Sequence, residues 1–357
     1  MKNLYLKKRL SGGELAPEGK MEEILNEAEV VLLDKKTENI KVGIVKDGEE
    51  PQGYVFLRYY YPKYVRFLKN NKINYSYYNI YSSDWIIQAE KYDVIVWHTN
   101  SDPVTQDIAM HKLYILDKVL KKKCLPSFDE IWSYENKINA YYLYEALQLP
   151  TIPTFVSHDK EETMKYIEEC RYPLISKSRT ASASAGVVKI NNLNEAKKIV
   201  NKVFSSEGLG TNYYHDRQKD YVYFQEFIEG AKYDLRMIII DDKAFGYYRY
   251  PNEGDFRASG AGNYAKKEIP SEALDLAFKV RDAFNSTCLA TDVLFSEKEN
   301  KYYIIESSIF IGVDTASQLE INGVAGYYER VKEGEYVFKE GKYWIQELTL
   351  KNLIENK

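Results

Sequence analysis

Residues 290–308 read ATDVLFSEKENKYYIIESS. Two apolar runs, Ala290 to Phe295 and Tyr303 to Glu306, flank the polar stretch Ser296 to Asn300. That pattern predicts two antiparallel strands joined by a tight turn. Each run carries one carboxylate, Asp292 and Glu306, and the hairpin brings the two close together. Like charges withdrawn from water repel each other and lose their hydration, so such a pair calls for a cation between them. Mg²⁺, held by one or two carboxylates plus nucleotide phosphates, suits that need. The plainer alternative is two acids on a solvated sheet face, and the flanking apolar residues weigh against it.

Upstream of this hairpin, strands are expected at Tyr221–Gln225, Asp234–Ile240 and Ala244–Tyr250, with a turn at Asp241-Asp242-Lys243 and a helix at Ser271–Phe284. A second α/β region covers about 154–205, with helices at Lys160–Cys170 and Leu193–Phe204 and strands at Pro173–Lys177 and Val187–Ile190. A single helix, Ser133 to Leu147, precedes it and is broken by Leu149-Pro150-Thr151-Ile152-Pro153. Further back, strand and helix signals alternate over residues 41–130. They comprise Lys41–Val45, Tyr59–Leu68, Ile73–Ile80, Asp84–Glu90, Tyr92–Trp97 and Thr105–Lys121, the last ending in Lys121-Lys122-Lys123. The order β-α-β-α-β-α predicts a small parallel α/β domain, because parallel strands need helical crossovers. Residues 1–40 are polar apart from Val30-Val31-Leu32-Leu33 and receive no role. The tail is read as a hairpin around Glu340-Gly341 followed by a polar helix.

The 357 residues allow two or three domains at about 100–200 residues each. With 45% apolar and 29% charged residues, a sizeable core is possible and global disorder is excluded. Lys+Arg is 49 against 53 Asp+Glu, a net charge of −4 that argues against nonspecific nucleic-acid or anionic-membrane binding. No apolar run is long enough for a bilayer span, and the first residues lack a signal-peptide core, so a cytoplasmic protein is expected. Cys124, Cys170 and Cys288 are too few and too far apart for a disulfide framework or a CxxC zinc site. His98, His111, His158 and His215 have no common spacing and are read as structural; the 33 tyrosines spread along the chain and are read as bias.

Two further segments carry chemistry. Lys177 ends an apolar strand ahead of Ser178-Arg179-Thr180-Ala181-Ser182-Ala183-Ser184-Ala185-Gly186. A point charge beside a small-residue loop can meet phosphate oxygens while backbone N–H groups approach them. The stretch is no GxxxxGK[ST] loop, and taken alone an exposed linker is the better reading. Arg249, Asp255 and Arg257 surround a glycine-rich loop that continues to Gly262, a composition suited to bidentate binding of carboxylate or phosphate.

Taken in order over about 131–330, these segments resemble the ATP-grasp superfamily, and within it the glutamate-ligase-like carboxylate–amine ligases. The resemblance implies an α/β fold, α+β in its C-terminal part, with an N-terminal Rossmann-like pre-grasp domain. The implied division is 1–40 extension, 41–130 pre-grasp domain, 131–220 linker helix and nucleotide lid, 221–330 C-terminal grasp subdomain, and 331–357 hairpin and helix. It implies nucleotide contacts for Lys137, Lys177, Ser182, Ser184 and Gly186. It implies an adenine hinge at Gln225-Glu226-Phe227-Ile228, a ribose contact at Asp234, and phosphate contacts at Arg257 and Ser259. Arg236, Arg249 and Arg257 become candidate catalytic residues, and Asp292, Glu306 and Ser308 candidate metal ligands. A helix over Gln318–Ala325 also follows from it. This chain departs from the family at the Ser/Ala-rich phosphate loop and at Glu306-Ser307-Ser308, where Glu-x-Asn is usual. ATP and one Mg²⁺ are expected, with a second ion left open. The expected reaction activates a small carboxylic acid or peptide as an acyl phosphate and joins it to an amine (or thiol). A small-molecule kinase and a non-catalytic nucleotide-binding module are the alternatives; self-association is left open.

Overall fold

The computed structural model describes residues 15–35, 39–48, 54–56, 58–180, 186–311 and 315–356. Ser182 and Ser184, two expected phosphate-loop residues, lie outside the described residues.

The N-terminal unit comprises β1 (Leu15–Pro17), α1 (Glu18–Leu25), β2 (Lys41–Val45), β3 (Tyr54–Phe56), α2 (Tyr61–Asn70), β4 (Asn74–Tyr77), α3 (Trp85–Ala89), β5 (Val94–Trp97), α4 (Pro103–Leu113, continued as a π-helix to Val119) and β6 (Lys123–Leu125). Its parallel sheet runs β4-β2-β5-β6. β5 is buried along its length, as a parallel strand covered on both faces must be. The fourth strand replaces part of the expected basic helix end. Lys121 turns the chain with φ 54°, Lys122 Nζ donates to the carbonyls of Glu90 (3.1 Å) and Tyr92 (2.7 Å), and Lys123 opens β6. Three residues are too few to show a period in sequence.

A middle unit follows: α5 (Phe128–Ser133), α6 (Lys137–Ala146), β7 (Thr154–Ser157), α7 (Lys160–Glu169), β8 (Leu174–Lys177), β9 (Val187–Ile190), α8 (Leu193–Val203), β10 (Leu209–Gly210), β11 (Arg217–Gln218) and β12 (Val222–Glu226). The helix expected over 133–147 is α6, which starts only at Lys137, and a further short helix, α5, precedes it. A Ser127/Glu130 capping box starts α5, Glu135 breaks the run with φ 52°, and Asn136 accepts the Asn139 N–H (3.2 Å) to cap α6. The sheet order is β7-β12-β8-β9, so Val222–Glu226 joins this unit and not the later strands. Helices α7 and α8 cover it through Ile167, Val200 and Phe224, a core separate from the main one.

The last unit is β13 (Asp234–Ile240), β14 (Lys243–Tyr250), β15 (Asn263–Ala265), α9 (Ser271–Ala283), β16 (Cys288–Ser296), β17 (Lys301–Ser308), β18 (Glu320–Ile321), β19 (Val324–Lys332), β20 (Glu335–Glu340) and α10 (Ile345–Glu355). The central path of its eight-stranded sheet is β17-β16-β13-β14-β19-β18. The expected helix over 318–325 is instead the β18–β19 hairpin. Asn322 and Gly323 take φ 53° and 79°, the left-handed pair that an Asn-Gly turn supplies. The tail hairpin turns at Gly334, where φ is 74°, and pairs β19 with β20; the expected turn at Glu340-Gly341 is the end of β20. Helix α10 is not polar in its setting, because Gln346, Glu347 and Thr349 are buried. Arg66 Nη1 donates to both oxygens of Glu347 at 2.8 Å. The stretch before β2 acquires a role too. Met21, Leu25 and Val31 enter the main core, Trp344 Nε1 donates to Leu25 O (3.0 Å), and Arg66 Nη2 donates to Ala28 O (2.7 Å). The N-terminal and last units share that core, which also takes in Ile131, Ala140 and Tyr144 of α5 and α6, while the β7-β12-β8-β9 sheet and its helices carry their own.

Candidate active site

Alternation along β13 and β16 sends one row of charged side chains into a cleft between the middle sheet and the large sheet. Asp234 is paired across the ladder with Arg249, Arg236 with Asp292, and Asp292 with Glu306. Arg249 and Asp234 therefore face each other at one level, and Arg236, Asp292 and Glu306 lie in line across three adjacent strands at the next. Arg236 grips Asp292 with two parallel bonds, Nε to Oδ1 and Nη2 to Oδ2, both 2.7 Å. Arg249 Nη2 adds a third at 2.7 Å, and its Nε donates to Asp234 Oδ1. The expectation that Asp292 and Glu306 form a bare acidic pair needs correction. The compensating cations at Asp292 are guanidiniums, because β16 lies between β13 and β17 and so has two neighbours. Burial alone raises the Asp292 carboxyl, but Arg236 and Arg249 outweigh it and hold the group below the usual range. Burial raises Asp234 above its ordinary value in spite of Arg249.

Lys177, at the end of β8, is buried. Its Nζ donates to Gln225 Oε1 (2.6 Å), while Gln225 Nε2 donates to Thr154 Oγ1 (3.1 Å). Gln225 thus sets the lysine rather than presenting its own amide to the cleft. Burial lowers Lys177 to about 8, with Glu306 opposing and Lys137 adding to the effect. Lys137, the first residue of α6, lies 3.3 Å from Glu306 Oε1, and its backbone N–H donates to Arg179 O (2.9 Å). The start of α6 is thereby tied to both the β16–β17 hairpin and the loop after Lys177.

The cleft is lined by Lys137, Lys177, Gln225, Glu226, Phe227, Ile228, Asp234, Arg249, Arg257, Ser259, Asp292 and Glu306, with Ile152, Ile175, Val187 and Leu294 as apolar walls. Most residues picked from sequence are thus gathered in one place. Gly186, with φ 75°, closes the loop ahead of β9. Arg257 reaches the rim, but its guanidinium pairs with Asp255 (2.8 Å) rather than pointing free into the cleft. Ser308 turns away, its Oγ donating to Phe310 O (2.6 Å). Among the described residues no three His, Cys, Asp or Glu side chains cluster as a metal site. Two facing carboxylates remain, and such a set fits Mg²⁺ when phosphate oxygens and water complete its shell.

Sequence reasoning missed Glu135. It sits in a left-handed conformation between α5 and α6, its buried Oε2 has no hydrogen-bond partner among the described residues, and burial raises it to about 7. Nothing local marks it, since Tyr134-Glu135-Asn136 reads as an ordinary helix start.

The model of the RimK-like ATP-grasp domain matches residues 134–326. The chain belongs to the RimK-like ATP-grasp family. It is similar to the alpha-aminoadipate–LysW ligase LysX of Saccharolobus solfataricus, with 26% identity over 275 residues, 75% of this chain and 90% of that one. Its fold is shared with a RiPP-associated ATP-grasp ligase of Chryseobacterium gregarium, solved with ADP and a leader and core peptide (TM-score 0.52, 13% identity, 76% of this chain and 89% of that one). D-alanine–D-alanine ligase of Bacillus anthracis is similar too (TM-score 0.51, 14% identity, 77% and 88%). This RimK-like chain is accordingly an ATP-grasp ligase, and its family uses ATP. No helix among the described residues is long and apolar enough to cross a membrane.

Proposed function

We propose that the protein phosphorylates a small carboxylic acid or peptide carboxylate with ATP and passes the acyl group to an amine. The observation that carries this reading is the cleft itself, where Lys137, Lys177 and Arg249 with its partners Asp234 and Asp292 converge with Glu306 below a hinge of backbone at Gln225–Ile228. The purine fits between Phe227, Ile175 and Leu294, with the ribose toward Asp234. Lys137 and Lys177 face the phosphates. The β7-β12-β8-β9 sheet and its helices, with their own core, serve as the nucleotide lid.

The carboxylate oxygen attacks the γ-phosphorus and ADP leaves. Phosphoryl transfer of this kind depends on position and charge, so fixed cations from Lys177, Lys137 and Arg249 stabilise the transition state without reorganising. Mg²⁺ held by Asp292 and Glu306 would neutralise charge on the β- and γ-phosphates. An amine then attacks the acyl carbon and expels phosphate. No side-chain nucleophile is needed, in keeping with the three free cysteines, none of which lines the cleft. The relative that joins alpha-aminoadipate to LysW supports an acidic amino acid or peptide end as one partner.

The test is a phosphate-release screen over carboxylate–amine pairs, followed by a carboxylate labelled with heavy oxygen. Label must appear in inorganic phosphate, because the oxygen that attacked leaves with it. A stable phosphorylated product and no release of inorganic phosphate would make the protein a kinase.

A further inference from the structure

His98, read as structural in the sequence, stands where the N-terminal sheet opens. The strand order β4-β2-β5-β6 reverses direction between β2 and β5. In open parallel sheets, ligands bind outside the carboxyl ends of the strands at such a reversal. Asp47 follows β2 by two residues and His98 follows β5 by one. His98 Nδ1 lies 3.2 Å from Asp47 Oδ2, near enough for an ion pair though not aligned for a hydrogen bond. Asp47 is itself fixed, since its carboxylate accepts the backbone N–H groups of Tyr60 and Tyr61 at the start of α2.

The imidazole is stacked on Tyr60 (ring centroids 3.9 Å apart, planes at 9°) and meets the Phe310 ring edge-on at 4.6 Å. Tyr60 in turn exchanges hydrogen bonds with the backbone of Ile311. The ring is thereby held against the chain that leaves β17, four residues beyond Glu306. Its Nδ1 is buried while 18% of the side chain stays exposed, so the open part of the ring lies away from Asp47. Nε2 has no hydrogen-bond partner among the described residues. From the lid, Tyr213 OH donates to Ser101 O (3.1 Å) just past His98, so this crevice touches all three units.

We propose that His98, oriented by Asp47, is the general base that takes a proton from the incoming amine, and that the amine acceptor binds in this crevice. The proposal rests on the ligase reading above. The acceptor arrives as R–NH₃⁺ and gives one proton to His98 Nε2, forming an imidazolium beside the Asp47 carboxylate. The freed nitrogen lone pair attacks the acyl-phosphate carbon. The C–O bond then breaks, and phosphate leaves with the electron pair and the second N–H proton. His98 returns its proton to solvent. The titratable groups that face His98 among the described residues are Asp47 and the stacked Tyr60. From the β17 side, among the described residues, it meets the apolar Phe310, behind which stands Tyr134.

The test compares wild type with His98→Gln and His98→Asn on the carboxylate–amine pair that the phosphate-release screen identifies. Each protein is also assayed with hydroxylamine in place of the amine. Hydroxylamine is already uncharged at pH 7 and reports acyl phosphate without needing a base. The amide-to-hydroxamate ratio is expected to fall at least about tenfold in both variants, within the range of general-base catalysis. The limb of the amide pH profile on which the rate rises should move to higher pH. An unchanged ratio overturns the proposal, whether both rates fall together through a merely structural role or neither falls. If wild type releases no phosphate with any pair, the ligase reading fails, and the proposal with it.

Discussion

The lowered Lys177 makes nucleotide affinity depend on pH in a calculable way. In the free protein, burial brings Lys177 to about 8. Phosphate oxygens within reach of Nζ add negative charge and favour the ammonium, so binding raises the group again. A nucleotide that binds only the charged form therefore takes up a proton above pH 8. About half of the free protein's Lys177 is neutral at pH 8 and about nine-tenths at pH 9. The dissociation constant for ADP with Mg²⁺ should thus rise about twofold at pH 8 and about elevenfold at pH 9 relative to pH 6, a loss of about 1.4 kcal/mol over the whole range and about 1 kcal/mol across its last unit. The assay is isothermal calorimetry in two buffers of different ionisation enthalpy, which returns Kd and proton uptake together; uptake at pH 8 should be about one half. Lys177→Met should bind weakly at every pH and show no slope. A wild-type Kd that stays within twofold from pH 6 to 9, or a slope that survives in Lys177→Met, refutes the reasoning.

Three other perturbations have definite outcomes. Arg66→Met strands the fully buried Glu347 and should cost about 3–5 kcal/mol in chemical denaturation. Burial raises Glu347 to about 7 even with Arg66 present, so the folded state accepts its proton more readily than the unfolded chain; the variant should lose less at pH 5 than at pH 8. Gly326→Ala places a Cβ 2.2 Å from Lys339 O, which forces the β19–β20 pairing apart and should cost about 1–3 kcal/mol by the same measurement. Asp255→Asn releases Arg257 from its exposed pairing, and ADP affinity should rise by no more than about fivefold, because such pairs are weak in water; a drop in affinity would show that Asp255 positions Arg257 for phosphate rather than restraining it.

The legible parts of this molecule are those with a period or a stop signal of their own. β5 announces itself as Val-Ile-Val-Trp, α8 as a regular apolar stripe, and β16 and β17 as apolar runs around a polar turn. β6 does not, being three residues long, and α5, six residues behind a capping box, is too short to show a stripe of its own. The Asn322-Gly323 dipeptide is a hairpin signal that the family resemblance overrode in favour of a helix. Helix α10 looks polar because Glu347 and Gln346 look polar; only Arg66, some 280 positions away, makes the glutamate an interior residue.

The same limit explains why the arginine partners of Asp292 are invisible in sequence. Sequence shows that a carboxylate interrupts an apolar strand and that a second lies across the next turn. It cannot show the strand on the other side, and there Arg236 stands directly opposite, joined by Arg249 from one strand further. The charge problem is real, and the protein answers it with its own cations before any nucleotide arrives. That answer has a consequence for the metal. A carboxylate already accepting three charge-assisted bonds can offer a cation only its remaining lone pairs, and two nearby guanidiniums oppose a further positive charge. Glu306, which among the described residues pairs with Lys137 alone, is the less committed of the pair. Phosphate oxygens must then bring most of the compensating negative charge, so Mg²⁺ should enter with the nucleotide and not ahead of it. Calorimetry of Mg²⁺ alone should give no heat of binding at concentrations where Mg²⁺ with ADP saturates the cleft; tight binding of the bare ion would mean that Asp292 is not held as its arginine partners require.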